Sequence, residues 1–167
     1  MYNELTEVDI KKMQEEIDYR MKVVRPKCVE DLATAAAFGD RSENYEYKAA
    51  KQELRRCDSR LRYLQRMIAT AKVIKSDTRE GVAGLFDRVT IEYVEDGDTE
   101  TITLMTTLRE DALNGIISKE SPLGKAVMGR RVGEKTTVRV DGENSYTVKI
   151  LKIEKGQDDE SLPISAF

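Results

Sequence analysis

The sequence predicts an α+β protein in two parts: an N-terminal antiparallel α-helical coiled-coil hairpin, then a small antiparallel sheet domain with one short helix. Three observations carry this. Two heptad seams flank a helix-breaking turn, the seams mirror one another in residue number, and after Lys75 the apolar period drops from 3.5 toward 2.

The first helix opens at Thr6, an N-cap residue with Asp9 in the third position, a near capping box. Ile10, Met13, Ile17, Met21, Val24, Cys28, Leu32 and Ala35 then follow steps of three and four. Pro26 interrupts this helix. It removes a helical donor and crowds the preceding turn, so a kink over residues 21–25 is expected, after which the helix continues. The second helix repeats the seam in Tyr47, Ala50, Leu54, Cys57, Leu61, Leu64, Ile68 and Ala71. Phe38 with Tyr47, Ala35 with Ala50, Cys28 with Cys57, Val24 with Leu61, Met21 with Leu64 and Ile17 with Ile68 each add to 85. A constant sum is the mark of an antiparallel pair, and it places the bend between Ser42 and Glu43. A rod of roughly thirty residues at ~1.5 Å each extends ~45 Å, beyond the reach of a small domain's own core. Cys28 and Cys57 share a level of the seam and are expected as reduced core residues.

Between the seams lies the turn, residues 38–47, where Gly39, Asp40, Ser42 and Asn44 break the helix and Ser42 or Asn44 caps the next one. Asp40 and Glu43 fall at the extreme tip. Acidic residues are common at helix starts, where they complement the helix dipole, so spacing alone divides evenly between a solvated connection and a functional pair. The run of small residues over 33–37 narrows the approach. A slim end suits insertion into a channel.

Charge is uneven along the chain. Residues 1–75 carry 16 Lys and Arg against 13 Asp and Glu, whereas the whole chain has a net charge of −3. The basic excess lies on the second helix, in Lys48, Lys51, Arg55, Arg56, Arg60, Arg62, Arg66, Lys72 and Lys75. Such a bias favours phosphates or an acidic protein surface, against the blander reading of a solvated helix face. With two cysteines and no histidine, zinc sites lack their usual ligands. There is no apolar run long enough for a membrane span and no basic-apolar leader at the start of the sequence, so a cytoplasmic protein without membrane contact is expected.

The linker is expected at residues 76–81, which are polar and contain Gly81. Beyond it, residues 88–95 and 99–106 read as strands around Asp96-Gly97-Asp98, and 135–140 and 146–153 as strands around 141–144. Between the hairpins, Ser121 caps a short helix with Pro122 at its first position and Gly129 at its end. The expected domains are therefore 1–76 and 77–156, with an acidic, then apolar, tail over 157–167 that is poorly ordered.

Leu5-Thr6, Arg25-Pro26, the tip Gly39-Asp40-x-Ser42-Glu43-Asn44-x-Glu46-Tyr47-x-Ala49-Ala50-Lys51 and the later Ser121-Pro122-Leu123-Gly124-x-Ala126-x-x-Gly129 resemble, in order and spacing, the bacterial Gre transcript cleavage factors. The likeness runs from Leu5 to Glu154. It implies an FKBP-like fold for the second domain and a monomer that binds RNA polymerase, with the coil in the polymerase's secondary channel. It also implies that the protein is no enzyme by itself but assists the polymerase's own Mg²⁺-dependent cleavage of backtracked nascent RNA. The family's two functional acids fall on Asp40 and Glu43, which would share a Mg²⁺ ion completed by the polymerase. Arg41, Ser42, Asn44, Lys48, Lys51, Arg55 and Arg56 become contacts to channel or nucleic acid, and Ser121, Pro122 and Gly124 the polymerase-docking motif. Arg41 stands where the family usually has leucine. The rival readings are a Gre-like paralogue that occupies the channel without promoting cleavage, a coiled-coil adaptor without chemistry, and a prolyl isomerase. The last would need an aromatic-lined pocket, for which the second domain offers Phe86, Tyr93 and Tyr146.

Overall fold

A computed structural model describes residues 3–76 and 79–166; Met1, Tyr2, Asp77 and Thr78 of the expected linker, and Phe167 of the expected tail lie outside the described residues. The chain forms two compact units, Ile10–Ala71 and a second that joins Met1–Asp9 to Lys72–Ala166. No helix among the described residues is long and apolar enough to cross a membrane.

In the helical unit the first arm consists of α1 (Glu7–Tyr19), a π-helical turn (Arg20–Val24) and α2 (Arg25–Ala36); the second is α3 (Tyr45–Ala69). On α3 the expected seam is the inward face, with Cys57, Leu61 and Leu64 all at most 5% exposed. The first arm keeps Met13, Ile17 and Ala35 buried but turns Met21 out to 51% exposure. Pro26 explains the difference. Lacking an N–H, it cannot close the bond to the carbonyl four residues back, and the chain absorbs the misfit in a wide π-turn that shifts the register by a fraction of a turn. Arg20 takes the inward place and binds Glu16 at 2.7 Å. Both cysteines are free thiols.

The sheet unit is built on five strands in the order β5-β4-β3-β7-β6: β3 (Arg88–Tyr93), β4 (Thr99–Met105), β5 (Ile116–Ser118), β6 (Lys135–Arg139) and β7 (Ser145–Glu154). The β3–β4 and β6–β7 pairs are the two expected hairpins; β5 joins β4 in parallel. Alternation puts Val89, Ile91, Ile102, Leu104, Val138, Val148 and Ile150 on one face, where Val127 of α4 (Pro122–Val127) covers them. Ser121 caps α4 by accepting from the Gly124 amide at 3.0 Å, as its position before Pro122 predicts.

Two expected boundaries shift. A two-residue strand β1 (Glu4–Leu5) pairs in parallel with β2 (Lys72–Val73), so the first residues belong with the sheet unit and not with the coil. The tail expected to be poorly ordered is tied down over its described part. Asp158 pairs with Arg109 at 2.5 Å, the Ser165 amide donates to the Leu108 carbonyl at 2.7 Å, and Leu162 packs on Leu85, Phe86 and Met105.

Candidate functional site

The tip of the helical unit is the eight-residue connection 37–44. Its middle lies between Asp40 and Arg41, two residues earlier than the constant sum indicates, because α2 stops at Ala36 and Phe38 lies outside the helix at 73% exposure. Gly39 makes the exit possible with φ +122°, a backbone conformation that side chains other than glycine's rarely adopt.

Two side chains fix the loop. Asn44 accepts from the Tyr47 amide at 3.0 Å, capping α3, and donates its own amide to the Ala35 carbonyl at 2.7 Å, joining the end of α2 to the start of α3. Asp40 accepts from both the amide and the hydroxyl of Ser42, at 3.0 and 2.9 Å. These bonds, the backbone one first, hold the Asp40 carboxyl below the ordinary aspartate range. Only Oδ1 is engaged in them, which leaves Oδ2 open to solvent. Glu43 is exposed three residues on.

The two acids thus share one exposed loop, as the sequence predicts, and they border a shallow hollow with Phe38, Asn44, Tyr45 and Glu46. Among the described residues, no group of three His, Cys, Asp or Glu side chains is arranged to hold a metal ion. Hard carboxylate oxygens on an exposed loop do suit Mg²⁺, but Asp40 and Glu43 supply two of the roughly six oxygens that ion takes.

The basic residues divide. The Arg41 guanidinium lies 5.6 Å from the Tyr47 ring, with the Lys51 ammonium at 5.9 Å from the same ring, and Lys48 lies 5.6 Å from that of Tyr45. Arg55 is exposed, and Arg56 is exposed in a 2.6 Å pair with Glu53 on the same helix. Arg60 does not belong to the solvent face: it is 6% exposed and grips Glu16 through both oxygens, at 2.9 and 3.0 Å. Phe38 and Tyr45 also lie beside the acids: Phe38 fits the apolar seam spacing in sequence, which hides its exposure, and Tyr45, 84% exposed, begins α3 off that seam.

In the sheet unit the Ser121-Pro122-Gly124 motif has local work. The Ser121 hydroxyl donates to the Ser118 carbonyl at 2.7 Å, and Gly124 lies so close to the same carbonyl that a Cβ would stand 2.0 Å from its oxygen. Pro122 is exposed. Among the described residues of this unit, Tyr93 and Tyr146 pack on the main core, 5.7 Å apart, whereas Phe86 belongs to a second cluster with Leu85 and Met105. The three rings named for a prolyl isomerase are thus divided between two clusters.

Fold and site together define a coiled-coil hairpin protein with two acids on its tip and a separate small sheet unit. The chain matches the family model for the N-terminal domain of transcription elongation factors over residues 3–73 and that for the GreA/GreB C-terminal domain over residues 78–155. It belongs to the GreA/GreB family of transcription elongation factors. Transcription elongation factor GreA of Bacillus subtilis is 39% identical over 142 residues, covering 85% of this chain and 90% of the relative; that of Oenococcus oeni is 36% identical over 154 residues, covering 92% and 95%. A solved GreA factor homolog 1 of Thermus thermophilus overlaps 93% of this chain and 100% of its own at 20% identity and a TM-score of 0.42.

Proposed function

We propose that this protein binds RNA polymerase, enters its secondary channel with the hairpin tip, and stimulates the polymerase's own hydrolysis of backtracked nascent RNA. The observation that carries this reading is the pair Asp40 and Glu43, both exposed on a loop that Asn44 and Ser42 hold in one shape. The factor is a helper and not an enzyme by itself. Asp40 and Glu43 would hold a Mg²⁺ ion jointly with ligands of the polymerase. Bound there, such an ion supplies charge neutralisation at the phosphate and a more acidic water. Ser42 aims Asp40, Glu43 contributes the second carboxylate, and Lys48, Lys51, Arg55 and Arg56 present positive charge to RNA phosphates or channel walls. Hydrolysis adds the water oxygen to phosphorus as the P–O3′ bond breaks, leaving a 3′-hydroxyl on the retained RNA.

The test is single-turnover RNA cleavage in backtracked elongation complexes. Asp40→Asn and Glu43→Gln should each slow stimulated cleavage by orders of magnitude while the variants still compete with the original chain for polymerase. Extra Mg²⁺ should restore part of the rate. A double variant that stimulates as well as the original chain would overturn the reading and leave a factor that occupies the channel without promoting cleavage.

A further inference from the structure

We propose that Phe38 and Tyr45 form a base-stacking site at the tip, which holds an unpaired base of the backtracked RNA beside Asp40 and Glu43. This rests on the cleavage reading above. The two rings are 73% and 84% exposed, on an end that alanines otherwise keep narrow. The hairpin buries neither ring. Phe38 has left the helix, and Tyr45 is the first residue of α3, while Tyr47 takes the seam position two residues on. Both rings border the same hollow as Asp40, Glu43 and Glu46.

The company they keep selects the occupant. An apolar protein surface pressed onto these rings would strip water from three carboxylates without pairing them, which is costly. A nucleotide has matching parts for each group: a π-face for the rings, hydroxyl and amino donors for the carboxylates, and a phosphate for Lys48, whose ammonium already lies 5.6 Å from the Tyr45 ring. Stacking is tolerant of base identity, as a factor that meets any transcript requires.

The experiment crosses ring removal with base removal. RNA polymerase complexes are assembled on RNA whose unpaired 3′ nucleotide is either normal or abasic, and single-turnover cleavage is measured with the full chain and with Phe38→Ala, Tyr45→Ala and Tyr45→Phe. Each alanine variant should lose about five- to hundredfold on normal RNA, the scale of one base–ring stack, and Tyr45→Phe should keep most of the rate. The abasic RNA should show a similar loss with the original chain and little further loss with the alanine variants, because one contact is lost either way. Losses that multiply, or an original chain that cleaves abasic RNA as fast as normal RNA while the alanine variants compete less well for polymerase, place the rings against protein and overturn the stacking site. Ring variants as fast as the original chain, while Asp40→Asn is slow, overturn the stacking site alone. A chain that never stimulates cleavage overturns both readings.

Discussion

Asp9 and Arg109, one hundred positions apart, form an ion pair in which Nε donates to Oδ1 at 2.7 Å and both side chains are fully buried. Asp9 Oδ2 accepts from the Thr6 amide at 3.0 Å and the Thr106 hydroxyl at 2.8 Å, so one carboxylate links the chain's first helical turn to the 3₁₀ turn after β4 that carries Arg109. Removing one partner of a buried pair leaves the other charge desolvated, at a cost of about 3–5 kcal/mol. Asp9→Asn should therefore lower the urea midpoint of the sheet unit by a cost near the lower end of that range, since Asp158 also faces Arg109. A midpoint equal to that of the original chain would mean that the pair contributes no net stability.

The tail closes the same network from the other side. Arg109 Nη1 reaches Asp158 at 2.5 Å and donates to the Asp159 carbonyl at 3.1 Å. Ending the chain after Gln157 should expose the guanidinium and the apolar patch that Leu162 covers, destabilising the sheet unit by about 2 kcal/mol. Hydrogen exchange would then rise across residues 104–110. Unchanged protection there would show that the tail rests on the unit without supporting it.

These relationships also mark where the sequence is silent. The α3 seam is legible because a 3.5-residue period repeats over its whole length, and the two sheet hairpins because alternating runs flank turn residues. Met21 misled because its place depends on how Pro26 distorts the preceding turn, an adjustment that no apolar spacing records. The tail reads as disordered because Asp158 and Leu162 gain order from Arg109 and Phe86, residues distant in sequence. Strands of two or three residues, such as β1, β2 and β5, carry too little periodicity to stand out. At the tip, Asp40 and Glu43 were legible as polar residues in a helix break, whereas the exposure of Phe38 depends on where α2 stops.

Glu16 makes the hairpin sensitive to acid. Burial pushes its carboxyl up, and hydrogen bonds from Arg60 and then Arg20 outweigh that, holding it below the ordinary glutamate range. A carboxyl depressed in the folded state stabilises fully above its unfolded pKa, and that contribution fades as pH falls through the folded value. Glu16→Gln should cost about 2 kcal/mol at pH 7, leaving Arg60 short of its partner. The difference from the original chain should shrink below about pH 4, as urea titrations at the two pH values would reveal.

The Ser121-Pro122-Gly124 motif separates into internal support and an exposed proline. Gly124→Ala brings a methyl onto the Ser118 carbonyl and should destabilise the sheet unit strongly, because backbone and not a flexible side chain must give way. Ser121→Ala removes the cap of α4 at about 1 kcal/mol. Pro122 is exposed, so Pro122→Ala should leave stability within ~0.5 kcal/mol. If the motif docks on polymerase, that variant alone should weaken association in a competition assay. Full affinity with Pro122→Ala would confine the motif to its structural part.

Ser42 tests how the tip keeps Asp40 ready. Its amide and hydroxyl both donate to Asp40 Oδ1, and together they hold the carboxyl below the ordinary aspartate range. Ser42→Ala removes the hydroxyl and keeps the amide, so the pKa should rise part of the way back and the side chain should gain rotational freedom. If Asp40 acts as the proposed metal-binding carboxylate it must be ionised, and stimulated cleavage in this variant should begin to fail at a higher pH than in the original chain as the solution is acidified. Near neutrality the carboxylate remains ionised in both, and the remaining loss, about tenfold or less, reports lost aim alone. Polymerase without the factor supplies the baseline profile, to be subtracted at every pH, so that titration of the polymerase's own groups is not assigned to the tip. Ser42→Thr keeps the hydroxyl and should restore the original acid limb. A profile for Ser42→Ala that overlays the original after subtraction would show that Asp40 does not depend on Ser42 for its charge, and that the Ser42 bonds serve only to shape the loop.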